Sequence, residues 1–129
     1  MTLRIQSRKQ NIADLENYIQ SIFEEFGLEQ DLYPNILISL TEAVNNAIQH
    51  GNNNDHAKTV FVEARKRKDR ICCIISDEGT GFDYQNLPDP TAPENIENPG
   101  GRGVFLMQQL SDTMRFRENG SRVEIEFLI

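Results

Sequence analysis

The sequence predicts an α+β fold in which about three helices pack on one face of a largely antiparallel sheet. Three observations carry that prediction. Apolar residues recur at helical spacing ahead of Gly51. Two β-type runs follow, Thr59 to Lys66 and Arg70 to Ser76. The chain then closes on two more such runs joined through Asn119-Gly120, a pair that favours a hairpin turn.

Met1 to Asn11 is polar and basic and has no apolar stretch of the signal-peptide kind. Ile12, Leu15, Ile19, Ile22, Phe23 and Phe26 then fall on one helical stripe, with Gly27 as a stop signal. A second helix is marked by Asp31 as a candidate N-cap, Pro34 in the first turn and Gly51 as a C-terminal stop. Its stripe is Ile36, Leu40, Ala43, Val44, Ala47 and Ile48, and Asn52 to His56 reads as a polar turn. Of the two strands after it, Arg70 to Ser76 is apolar through Ile-Cys-Cys-Ile-Ile and reads as central. The stretch from about 84 to 100 holds four of the chain's five prolines and suits a lid over a site better than a linker. Val104 to Leu110 resumes the helical period, and Thr113 to Arg117 and Ser121 to Leu128 form the closing strands.

At 129 residues the chain makes one domain of ordinary size, and 38% hydrophobic with 26% charged residues is a globular composition. No apolar run approaches the ~18 residues of a membrane span, so the expected location is the cytosol. A net charge of −7 argues against direct nucleic-acid binding, which needs a basic surface. The basic run Arg65 to Lys68 with Arg70 falls at a turn and reads as solvated. Cys72 and Cys73 point to opposite faces of a strand, which suits buried reduced thiols rather than a disulfide or a metal site.

Three segments carry candidate chemistry. Glu42 and Asn46 are four residues apart, so they lie about 40° from each other on one helix face, away from the apolar stripe. A solvated polar face is the plain alternative, yet Glu42 has no basic residue three or four positions away, and Ile38 interrupts the polar face. Asp77-Glu-Gly79-Thr-Gly81-Phe82 ends the central strand, where a carboxylate can accept a hydrogen bond from an exocyclic amine such as adenine's. Its alternative is an ordinary Asp/Gly turn. Gly100-Gly101-Arg102-Gly103 precedes a helix and can offer backbone N–H groups, and the Arg102 charge, to phosphate oxygens. It lacks the Gly-Lys-Ser/Thr ending of a P-loop, and a hinge is its alternative.

In this order the segments resemble the ATP-binding domain shared by histidine kinases, type II topoisomerases, ninety-kilodalton heat-shock chaperones and mismatch-repair proteins. Glu42-Ala-Val-Asn-Asn46-Ala-Ile-Gln-His50-Gly51 looks like that family's asparagine-bearing helix. Asp77 to Phe82 looks like its Asp-x-Gly-x-Gly box, and Gly101-Arg-Gly103-Val-Phe-Leu-Met107 like its second glycine box. Gly120-Ser121 echoes a Gly-Thr near the final strand. Within the superfamily, the form Glu-Ala-x-x-Asn-Ala-x-x-His-Gly and the small size are similar to bacterial anti-sigma factor serine-protein kinases.

The resemblance implies a Bergerat-type two-layer sandwich, with three helices over a mixed, mostly antiparallel sheet and a lid. It implies ATP and Mg²⁺ as cofactors, Glu42 as general base and Asn46 as the Mg²⁺ ligand. It further implies Asp77 on the adenine amine, with Gly79 and Gly81 lining that pocket, and Gly101, Arg102 and Gly103 on the phosphates. Implied partners are an anti-anti-sigma factor, phosphorylated on serine, and a sigma factor that the kinase sequesters as a dimer. A sensor histidine kinase would need a phosphoacceptor histidine on a dimerisation helix, and His50 and His56 both lie beside the asparagine helix. The alternative from another class is a nucleotide-binding partner-switching module without phosphotransfer.

Overall fold

The computed structural model describes residues 1–7, 12–79 and 102–129, with the side chains of Arg102 and Asn119 excepted. Strands β1 (Thr2–Gln6), β2 (Thr59–Lys66), β3 (Arg70–Ser76), β4 (Thr113–Arg117) and β5 (Arg122–Leu128) form one sheet in the order β1-β2-β3-β5-β4. Helices α1 (Ile12–Phe26), α2 (Tyr33–Asn46) and α3 (Arg102–Leu110) complete the second layer of this α+β fold. The resemblance implies a mixed sheet; the four pairings among the described residues are all antiparallel.

β3 is central, as its apolar run predicts. Ile71, Cys73 and Ile75 join the core with α1 and α2, while Cys72 and Ile74 face the other side and are buried too. Cross-strand neighbours on that second face are Arg65 and Glu126 beside Cys72, and Glu63 and Glu124 beside Ile74. Arg70–Glu126 (3.5 Å), Arg117–Glu124 (3.1 Å) and Arg65–Glu63 (2.7 Å) pair there. Such exposed pairs contribute less than about 1 kcal/mol each. Their aliphatic stems matter more, because they can cover apolar surface that no helix covers. Both cysteines are free and buried, as read.

The helical stripes fall where the spacing puts them. Leu15, Ile19, Ile22 and Phe23 of α1 are buried, joined by Tyr18, and all six stripe residues of the second helix are buried. Gly27 adopts φ 63°, and the Leu28 N–H donates to the Phe23 carbonyl at 3.1 Å, the wrapped end expected of a glycine stop.

Four local readings need correction. β1 was not anticipated: Leu3 and Ile5 alternate with polar residues, but five residues at a sheet edge give a weak period, and pairing with β2 decides the strand. Asp31 is not an N-cap. It sits inside a 3₁₀ turn, Gln30–Leu32, where the Leu32 N–H donates to the Glu29 carbonyl and the Tyr33 N–H to the Gln30 carbonyl, so the helix has little need of a side-chain cap. Gly51 does not end the helix in a left-handed conformation. The last turn widens into a π-turn, Ala47–Gly51, closed by Asn52 N–H to the Ala47 carbonyl at 2.8 Å, and Asn53 and Asn54 make the left-handed turn. The final hairpin exists, but Glu118–Gly120 forms a 3₁₀ turn with Glu118 at φ 53° and Gly120 at φ 95°, not a two-residue turn on Asn119-Gly120.

Candidate functional site

Glu42 and Asn46 lie one turn apart on α2, on the side approached by the start of α3. A Cβ built on Gly103 would stand 2.7 Å from Glu42 Oε2, and 3.3 and 3.5 Å from the Asn46 amide nitrogen and oxygen. A side chain at Gly103 would therefore displace the Glu42 carboxylate and crowd the Asn46 amide, so glycine here lets α3 approach both polar groups closely. The start of α3 covers this polar face at Glu42 and Asn46, whereas Ile38, which interrupts the same face, is 41% exposed. Burial pushes the Glu42 carboxyl above its ordinary 4.5. Asn46 Nδ2 is buried with no hydrogen-bond partner among the described residues. A buried amide left without a partner costs roughly 1–3 kcal/mol, which marks the spot as one built for something else to fill.

Asp77 follows the last residue of β3. Its own N–H donates to the Ser121 carbonyl (2.9 Å), and its Oδ1 accepts the Gly79 N–H (2.8 Å). Oδ2 and the rest of the carboxylate press against Gly51, where a Cβ would overlap them, and Gly79 in turn abuts the Gly51 backbone. Two glycines far apart in sequence thus pack flat against each other and seat the carboxylate. Burial raises the Asp77 pKa above 3.8, opposed by the Gly79 N–H and by Lys58. Both carboxyls hold protons more tightly folded than unfolded. Each therefore costs stability as pH rises from its unfolded to its folded pKa, a cost borne in full above the folded pKa.

Between α2, α3 and the β3–β5 ladder lies a narrow cleft whose own cavity volume is about 10 Å³, the room of a single water, and which widens to about 240 Å³ only when the solvent at its mouth is counted. Ala43, Ala47, Ile75 and Met107 give it apolar walls, and Asn46, Asp77 and Ser121 line it as well. Small apolar walls with one carboxylate suit a flat aromatic ring that bears an amine donor. No described cluster of three or more His, Cys, Asp or Glu stands ready to hold a metal. The Asn46 oxygen suits Mg²⁺, which is commonly held by one or two protein oxygens plus substrate phosphates and water. The residues present fit the Mg-nucleotide that the resemblance implies.

The fold thus brings together Glu42, Asn46, Gly103, Asp77 and Gly79. Gly81, Gly101 and the lid at about 84–100 lie outside the described residues, and of Arg102 only its place as the first residue of α3 is described. Met107, the last residue of the second glycine box, lines the cleft from α3. One contributor, Asn52, carries no signal in the sequence. Asn52 looks like one of three loop asparagines, yet it is 0% exposed and bonded on both ends of its amide. No local sequence signal separates it from Asn53 and Asn54.

Comparison with known proteins agrees with this geometry. The family model described as the histidine kinase-like ATPase domain matches residues 5–127. A protein named serine-protein kinase RsbW from Staphylococcus aureus is 28% identical over 151 aligned residues, covering 95% of this chain and 94% of that protein. Its counterpart in strain JH9 is likewise 28% identical, over 133 residues, covering 95% of this chain and 82% of its own. With the match running across nearly the whole sheet and all three helices, the chain belongs to the histidine kinase-like ATPase domain family.

Proposed function

We propose that this chain is a serine-protein kinase of a partner-switching circuit. It takes Mg-ATP, phosphorylates a serine on an anti-anti-sigma partner and, as a dimer, sequesters a sigma factor. The observation that carries the kinase reading is the pairing of a buried, partnerless Asn46 amide with the Glu42 carboxylate one turn away, both at the start of α3 and beside the Asp77 cleft. Similarity to proteins named serine-protein kinases supports the choice of phosphoacceptor.

Each residue has a role that its surroundings allow. Asp77 would accept the adenine amine's hydrogen bond on a carboxylate seated by Gly51 and Gly79, and Gly79 and Gly81 would line that pocket as the resemblance implies. Gly101, Arg102 and Gly103 would bring backbone N–H groups and one positive charge to the phosphates. Asn46 would hold Mg²⁺ through its side-chain oxygen; the ion, when bound, neutralises charge on the phosphates and so offsets the chain's own −7. Glu42 would take the proton from the serine hydroxyl as its oxygen forms the new bond to the γ-phosphorus and the bond to the β–γ bridging oxygen breaks, leaving ADP. A carboxylate whose pKa is raised by burial is a better proton acceptor than an ordinary one, provided it stays ionised at working pH.

The test is γ-³²P-ATP with the purified chain and an anti-anti-sigma protein encoded beside it. Label recovered as phosphoserine on the partner is the expected result. ATP binding with no transfer to cognate partners would overturn the kinase reading and favour a nucleotide-binding switch.

A further inference from the structure

We infer that Asn52 is a positioning residue for nucleotide selectivity, acting through the backbone of the Asp77–Gly79 turn. The inference rests on the reading that Asp77 accepts a hydrogen bond from the adenine amine. Asn52 ends the π-turn after α2 and is wholly buried. Its Nδ2 donates to Ser7 Oγ at 2.8 Å and to the Thr59 carbonyl at 3.1 Å, which uses both amide hydrogens. Its Oδ1 accepts the Glu78 N–H at 2.8 Å. One side chain therefore joins the end of β1, the start of β2 and the turn that carries the carboxylate. The Glu78 side chain closes the same ring from the other direction, accepting the Thr59 N–H on Oε2 at 2.6 Å.

This geometry bears on selectivity. Glu78 is the residue between Asp77 and Gly79, so fixing its N–H fixes the peptide plane that follows the carboxylate's own residue. The other restraints on Asp77 come from its N–H to Ser121, from Gly79 and from contact with Gly51. Without Asn52 the turn keeps those restraints but loses the hydrogen bond on the Glu78 N–H, and with it a side chain that ties that peptide to the ends of both β1 and β2. Misplacement by a fraction of an ångström weakens a hydrogen bond to an amine far more than it weakens stacking on apolar walls. Asn52 is thus expected to govern preference for adenine over a purine without the amine, rather than nucleotide affinity in general.

The experiment compares Mg-ATP with Mg-ITP, whose base carries a carbonyl in place of the amine, by calorimetry on the full chain. Wild type is expected to prefer ATP by ~10-fold or more, the worth of one hydrogen bond to a charged acceptor, and Asp77→Asn is expected to lose that preference. Asn52→Ala is expected to lose most of the preference while ITP affinity changes little. Asn52→Asp, which keeps an acceptor for the Glu78 N–H, is expected to restore most of it despite lower stability. Ser7→Ala is expected to lower stability alone. In the wild-type chain, hydrogen exchange at the Glu78 amide is expected to be slow, a readout that needs no variant to fold. Equal binding of ATP and ITP by wild type, or a preference surviving in Asp77→Asn, would overturn the adenine reading and the inference with it. Intact preference in Asn52→Ala, or a Glu78 amide exchanging as fast as an open turn, would overturn the inference while leaving that reading standing.

Discussion

Glu42→Gln is expected to lower serine phosphotransfer by ~10²–10⁴-fold, the usual contribution of a positioned general base, with Mg-ATP affinity within about twofold of wild type. The amide matches the carboxylate in shape, so the contact with Gly103 survives and only the proton-accepting ability is lost. The pH profile gives a second reading. Glu42 acts ionised, and burial raises its pKa above 4.5, so the rate should fall as pH falls through a value higher than an ordinary glutamate's. In Glu42→Gln that acid limb should vanish from the residual rate. Single-turnover transfer measured from pH 5 to 8 checks both. A variant with near wild-type transfer, or an unchanged acid limb, would remove Glu42 from the base role.

Gly51→Ala is expected to damage the site more than one methyl group suggests. A Cβ at that position overlaps the Asp77 carboxylate, so the carboxylate must leave the seat it shares with Gly79. Overpacking of this kind costs ~1–3 kcal/mol, and here the displaced group is the one assigned to the adenine amine. Denaturant unfolding should show that loss, and calorimetry should show ATP affinity falling by ~10-fold or more. Wild-type stability together with wild-type affinity in Gly51→Ala would mean that the carboxylate is free to move and that its seat is not a determinant of binding.

The Gly51 contact also bears on what was legible in the sequence. Periodicity marks the buried faces of α1 and α2, and an unbroken apolar run marks the centrality of β3, because burial on one face or on both leaves its own trace. The site residues on α2 were legible for the opposite reason, since Glu42 and two asparagines break the pattern of an ordinary solvated face. Gly51 was read as a helix stop, and its position was right while its cause was wrong. It is glycine because Asp77, far away in sequence, needs the space, and such a tertiary cause leaves no local mark. β1 escaped for a related reason: Leu3 and Ile5 become a strand through their pairing with Val62 and Val60. Asn52 was hidden among polar neighbours, as its burial depends on three segments meeting around it. The fold class followed from order and spacing and the candidate site residues from the resemblance that the three motifs carry, whereas the contacts that hold Glu42, Asn46 and Asp77 in place are visible only in the structure.

The central claim is that three segments separated along the chain form one Mg-nucleotide site. Chemical-shift mapping of the ¹⁵N-labelled chain on titration with Mg-ATP tests it most directly. The account predicts saturable shifts at the amides of Asp77, Gly79, Gly103 and Ser121 and at the Asn46 side-chain amide, all following one binding curve. Shifts confined elsewhere, such as the pocket of Gln20, Glu24 and Tyr33 between α1 and α2, or no saturable shifts at all, would contradict it.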